Sequence, residues 1–208
     1  MSPLRKELEK HLKEMCQEMG FKKAKYTYYR QINDDFIANV MFPCASYQVK
    51  HHILVACAVG ITSISVENII RQCAELTYLK EYDSTIQTNI GYIAPQNHYM
   101  EWDYSEQTCT SIFFKDIQTT IEKYAYPFFD RYSNLDSIKR SILNGEFHTI
   151  TDRDILLAII AYLREDKVLA QGYLDKFIKK RQDKRGSDNI FASILEERFD
   201  RNFRELLL

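Results

Sequence analysis

Glycine and proline are scarce in this chain, at 6 and 4 of 208 residues. Average usage would place roughly 25 of the two together in a chain of this length. The shortage excludes collagen-like, linker-rich and low-complexity chains. The glycines, Gly20, Gly60, Gly91, Gly145, Gly172 and Gly186, are never within ten residues of one another. A loop that cradles phosphates needs several glycines in close succession, so neither the dinucleotide-binding pattern nor the P-loop can be written here. An excess of one charge is missing as well: 28 basic and 29 acidic residues leave a net charge of −1. That balance gives no general electrostatic reason to bind a polyanion.

Other absences narrow the chemistry further. Cys16, Cys44, Cys57, Cys73 and Cys109 are odd in number and no two are closer than 13 residues, so they form neither a C-x-x-C unit nor a disulfide framework. Free thiols in a reducing cytosol are the expected reading. The N-terminus carries charge from Arg5 and no apolar core segment, so no secretory leader is expected. The longest stretches free of Asp, Glu, Lys and Arg, 51–66 and 84–100, fall short of the roughly 18 apolar residues of a membrane span. H-E-x-x-H, G-x-S-x-G and S-x-x-K with its partner motifs are all missing. No cofactor and no metal is expected.

What is present is a strong hydrophobic pattern with 14 Tyr and 12 Phe. Leu4, Leu8, Leu12, Met15 and Met19 form a helical stripe, with Ser2 as cap, Pro3 at the first position and Gly20 at the stop. The period then drops to two. Residues 25–32 and 36–42 read as a hairpin around Asn33-Asp34-Asp35, and 47–61 reads as a third strand, apolar on both faces from Ile53. A helix from about Val66 with Ser65 as cap follows, then strands at about 84–94 and 98–104. Helical spacing returns at about Thr108 and must break or kink near Pro127. Asn134 caps a short helix that stops at Gly145, and the last sixty residues are helical in pattern. The expected fold class is α+β: an antiparallel sheet of about five strands flanked by helices. A domain over 1–147 and a C-terminal helical segment over 148–208 are the expected organisation.

Four constellations carry chemistry. His51 and His52 are adjacent on a strand, so they point to opposite faces and cannot share a metal ion. Glu101 and Asp103 share one strand face, with His98 and Trp102 on the other; two such carboxylates suit a metal or acid–base work, or are the solvated side of an edge strand. Lys176, Lys179, Lys180, Arg181, Lys184 and Arg185 oppose only Asp183, a local excess of five positive charges that suits phosphates or stabilises a helix C-terminus. Tyr26, Tyr28 and Tyr29, with Tyr47, Tyr92 and Trp102, supply the aromatic surface that protein interfaces favour.

Two segments also carry a family resemblance. Gly20-Phe21-Lys22-Lys23 followed by Tyr26-Thr27-Tyr28-Tyr29-Arg30 is one. The other is Trp102-Asp103, a helix, and Tyr124-Ala125-Tyr126-Pro127-Phe128-Phe129-Asp130-Arg131-Tyr132-Ser133-Asn134-Leu135, and Val59-Gly60-Ile61 fits the expected sheet. The chain resembles a family of bacterial domains of unknown function, number 4304, over about 4–143, most specifically over 102–135. The resemblance implies an α+β domain and carries over no catalytic residues. Some members resemble immunity or partner proteins of toxin systems. The expected function is therefore a non-enzymatic, cytosolic protein-binding module, of the immunity type by resemblance. Its expected partner is another protein, and neither nucleic acid nor membrane. The alternatives are an enzyme built on Glu101, Asp103 and a histidine, or a weak nucleic-acid binder through 176–185.

Overall fold

The computed structural model describes residues 2–45, 51–75, 84–147, 149, 151–183 and 190–208. These residues form two compact units. The first comprises Met1–Ile61 and Gln87–Ser133, the second Thr62–Ile86 and Asn134–Leu208. The composition boundary at 147/148 thus falls inside the second unit.

In the first unit, helix α1 (Pro3–Glu18) starts as its sequence dictates: the Ser2 hydroxyl accepts the Arg5 N–H and Pro3 occupies the first turn. Its stripe of Leu8, Leu12, Met15 and Cys16 is buried. Gly20, at φ +83°, turns the chain out of the helix. A side chain with a β-carbon is strained there, which is why glycine holds the place.

Strands β1 (Lys22–Ala24), β2 (Thr27–Gln31) and β3 (Phe36–Met41) then pair antiparallel, with Lys22 opposite Tyr29 and Tyr28 opposite Val40. Asn33 shapes the β2–β3 turn, its carboxamide oxygen accepting the N–H groups of Asp35 and Phe36.

The expected third strand over 47–61 is instead two. β4 (Cys44–Ala45) and β5 (His52–Ala56) belong to a small second sheet, and β6 (Ala58–Ser63) lies beside β3 in the main one. Both halves are apolar, so period-two patterning could not reveal the break at Cys57. Tyr47 and the start of that expected strand lie outside the described residues.

Helix α2 (Ile64–Ala74) is capped by Ser63, whose hydroxyl accepts the Val66 N–H, rather than by Ser65. The expected strand 84–94 is shorter, β7 (Ile86–Asn89), because Asn89 ends it. Its side chain accepts the N–H groups of Gly91 and Met100 and starts the one-turn helix α3 (Ile90–Ile93). β8 (Glu101–Ser105) completes the order β4-β5-β8, while the main sheet runs β1-β2-β3-β6-β7. The chain is α+β, with a five-stranded antiparallel main sheet and helices before, between and after the strands.

Helix α4 (Thr110–Thr120) continues through a π-helical turn (Ile121–Ala125) into α5 (Tyr126–Tyr132). Proline lacks an N–H and its ring crowds the preceding turn, and the wider π turn accommodates Pro127 without ending the helix. Phe113, Phe114, Ile117, Ile121, Ala125, Phe128 and Phe129 of this long element are buried. Each large apolar side chain of that kind contributes about 1.5–3 kcal/mol when fully buried.

The second unit centres on α7 (Arg153–Leu163), which is buried at every position from Ile155 to Ala161. An all-apolar helix must be surrounded. α2, α6 (Leu135–Asn144) and α8 (Lys167–Asp183) pack against it, and α9 (Ile190–Leu207) packs on α2 and α8. The expected Ser187 cap of this last helix lies outside the described residues. Within this unit, Thr85 Oγ1 donates to the buried Glu67 carboxylate (2.9 Å) and accepts the Ser63 N–H (3.0 Å).

Two glycines separate local from tertiary constraint. A β-carbon on Gly91 would stand 2.8 Å from the Met100 nitrogen and collide with the His98 carbonyl, whereas one on Gly172 meets nothing within 4 Å. Gly91→Ala should therefore lower stability by about 2 kcal/mol or more, because backbone cannot step aside. Gly172→Ala should raise it by up to about 1 kcal/mol through helix propensity. Urea unfolding of the two variants against the parent checks both signs.

Candidate functional site

Strand parity decides where the tyrosines go. Tyr28 and Tyr29 are neighbours on β2, so they face opposite ways. Tyr28 is buried, edge-on to Phe42 with ring centroids 5.8 Å apart. Its hydroxyl pKa is pushed up, first by desolvation and then by nearby Cys16 and Glu9. It belongs to the core, which corrects its assignment to a binding surface. Tyr29 is half-buried on the other face, while Tyr26, in the two-residue β1–β2 loop, is 81% exposed. Tyr92 on α3 is half exposed. Trp102 is half-buried on β8, its indole N–H donating to Asp116 at 2.7 Å. The expected aromatic surface is thus dispersed over several elements.

The carboxylate pair Glu101 and Asp103 lies exposed on β8, an edge of the small sheet. Asp103 pairs with His52 across the β5–β8 ladder at 2.9 Å, and His51 pairs with Glu106 at 3.2 Å. These are solvent-facing cross-strand pairs, and among the described residues no three His, Cys, Asp or Glu groups converge in a way that could hold a metal. His98 is not on the strand; its Nδ1 meets the Gln96 carbonyl. In the basic segment, Lys176 lies over the Tyr173 ring and Lys179 is exposed. Lys180 is tied to Asp152 at 3.0 Å and Asp154 at 3.9 Å, and the Asp152 hydrogen bond raises its pKa. The side chains of Arg181, Lys184 and Arg185 lie outside the described residues.

The structure brings together a constellation that spacing could not show. Arg30 on β2 stacks on two rings: its guanidinium carbon is 5.0 Å from the centre of Phe21 and 4.5 Å from that of Tyr126. Phe21 stands opposite Arg30, one step beyond the Lys22–Tyr29 pair of the β1–β2 register. Tyr126 opens α5, and its hydroxyl donates weakly to the Met19 carbonyl at 3.5 Å. Phe129 sits edge-on to Phe21, with ring centroids 6.3 Å apart. Arg30 remains partly exposed, and among the described residues it makes no hydrogen bond or ion pair. The next cross-strand pair on the same face repeats the arrangement, with Lys23 Nζ 5.5 Å above the Tyr28 ring.

Such a clasp holds a planar fork of five N–H donors in a fixed pose. Arg30 and Tyr126 are 96 positions apart in the chain, which hides the pairing from any local pattern. The one legible signal is the run Met19–Asn33, which holds Lys22, Lys23, Lys25 and Arg30 without a single acid.

The first unit is therefore an α+β domain whose second strand, β2, carries an arginine laid over two aromatic rings. The family model described as Domain of unknown function (DUF4304) matches residues 12–131, and the chain belongs to that family. Phe21, Arg30, Trp102 and Tyr126 all fall inside the matched stretch. No curated protein and no solved structure matches the chain. Among the described residues, no helix is long and apolar enough to cross a membrane.

All five cysteines are free thiols. Burial raises Cys16 to about 12 and Cys73 to about 11, and raises Cys57 as well. Cys109, exposed before α4, is lowered by hydrogen bonds from Ser111 and the Ile112 N–H. A thiol-specific reagent should modify Cys109 first and leave Cys16, Cys57 and Cys73 until the chain unfolds. The buried thiols keep their protons in the folded state, whereas the unfolded chain releases them near pH 9. Folding stability is thus fully present below pH 9 and should fall as pH rises from 9 towards 12; thermal melts across that range check the sign.

Proposed function

We propose that this chain is a non-enzymatic protein-binding module whose docking surface is the β1–β2 hairpin. One observation supports this reading above the rest: Arg30 lies over both Phe21 and Tyr126, partly exposed and, among the described residues, without an acceptor. Arginine and tyrosine dominate the residues on which protein partners anchor, and a group already fixed in place loses little freedom on binding. Exposed Tyr26 at the tip of the same hairpin supplies a second anchor of that type. Five free thiols suit a reducing compartment, which makes the cytosol the proposed place of action. A toxin-like reading frame beside the gene would narrow the module to an immunity-type partner.

Lysines on the hairpin make the surface easy to test. With the tagged chain expressed in its source organism, amine crosslinking and mass spectrometry should recover a stoichiometric protein partner joined through Lys22, Lys23 or Lys25. Recovery of no such partner, or of crosslinks confined to other lysines, would contradict the reading.

A further inference from the structure

We infer that the hairpin recognises an extended acidic polypeptide segment, with Arg30 as the anchor for one of its carboxylates and Lys23 for the next. This rests on the protein-binding reading and adds the partner's chemistry.

The guanidinium of Arg30 lies over the Phe21 and Tyr126 rings, stays partly exposed and makes no hydrogen bond among the described residues, so its N–H donors are left for a ligand. A planar fork of donors matches a carboxylate in bidentate fashion, and the charge-assisted bonds are about twice as strong as neutral ones. Arg30 and Lys23 are diagonal neighbours of the β1–β2 ladder, which places their backbone positions roughly 7–8 Å apart, with both side chains reaching solvent. Carboxylates two residues apart on an extended chain are about 6.6 Å apart and on one side. The two backbone spacings are of similar size, so acids at alternate positions of an extended segment suit the pair.

No acid interrupts Met19–Asn33, and among the described residues Lys22, Lys23, Lys25 and Arg30 form no ion pair. Glu18 and Asp130 on the flanking helices do not pair with Arg30, and Glu9, the acid of α1 that lies near Tyr28, is engaged by Arg5. This is a local positive surface on a chain whose net charge is −1. A phosphate backbone would be met by a broader basic footprint, and stacked bases by free ring faces. Phe21 is buried and the Tyr126 ring is occupied by Arg30, so neither is free for a base.

Fluorescence anisotropy at low salt tests the inference with three labelled probes: a short peptide of alternating Glu and Thr, its Gln–Thr counterpart, and an oligouridylate of similar charge. The Glu–Thr peptide should bind, and the Gln–Thr peptide about tenfold or more weakly. Arg30→Gln should weaken the Glu–Thr peptide about tenfold and Lys23→Gln several-fold. Lys176→Gln should leave it unchanged. Lys23 is exposed, so Lys23→Gln keeps the test valid should Arg30→Gln perturb folding. Equal binding of the neutral peptide, tighter binding of the oligouridylate, no binding at all, or insensitivity to both variants would overturn the inference. A crosslinked protein partner that survives Arg30→Gln and Lys23→Gln would overturn it while leaving the protein-binding reading intact.

Discussion

A positive charge laid over two aromatic rings is the constraint on which the candidate surface depends. A half-buried guanidinium without a carboxylate is stable only where something replaces part of its hydration, and Phe21 and Tyr126 do so. Each stack contributes about 0.5–1 kcal/mol when exposed and about 2 when desolvated. The clasp makes demands on distant elements. Gly20 must adopt its left-handed turn so that α1 feeds into β1 with Phe21 opposite Arg30, and Arg30 Cδ passes 3.9 Å from where a Gly20 β-carbon would stand. The π turn must carry the chain past Pro127 while Tyr126 still reaches Arg30.

Legibility in the sequence follows the range of the interaction. α1 was readable end to end because Ser2, Pro3 and Gly20 act on their own neighbours. The β2–β3 hairpin was readable because Asn33 folds its own turn. The capping residues Asn134 and Gly145 of α6 act locally too, and the structure places both at the ends of that helix. The strand break at Cys57 was hidden because apolar residues on either side look alike whether they continue one sheet or enter another. α3 was hidden for a different reason: its start depends on one Asn89 side chain bonding both to Gly91 and to Met100, eleven residues ahead.

The site divides along the same line. Tyr26, expected within the strand 25–32, stands exposed instead in the two-residue loop between β1 and β2, where Lys25 turns the chain at φ +53°. Tyr28 is buried because the side of β2 it takes is the core side, and alternation alone does not say which side that is. The basic segment near the end of α8 shows how a run of cations can lose its meaning once folded, since Lys180 is consumed by Asp152 and Asp154. Exposed pairs of that kind contribute little stability, yet they remove charge from the surface offered to a partner. The hairpin cations sit in an acid-free run and keep theirs.

The central claim is that Arg30 itself is the contact point, and the side-chain Nε–Hε resonance of Arg30 reports on it directly. In a nitrogen–proton correlation spectrum, titration with the alternating Glu–Thr peptide should shift that signal progressively to saturation, with the Lys23 backbone amide moving in parallel. An Arg30 signal that stays in place while signals elsewhere in the chain respond would contradict the account.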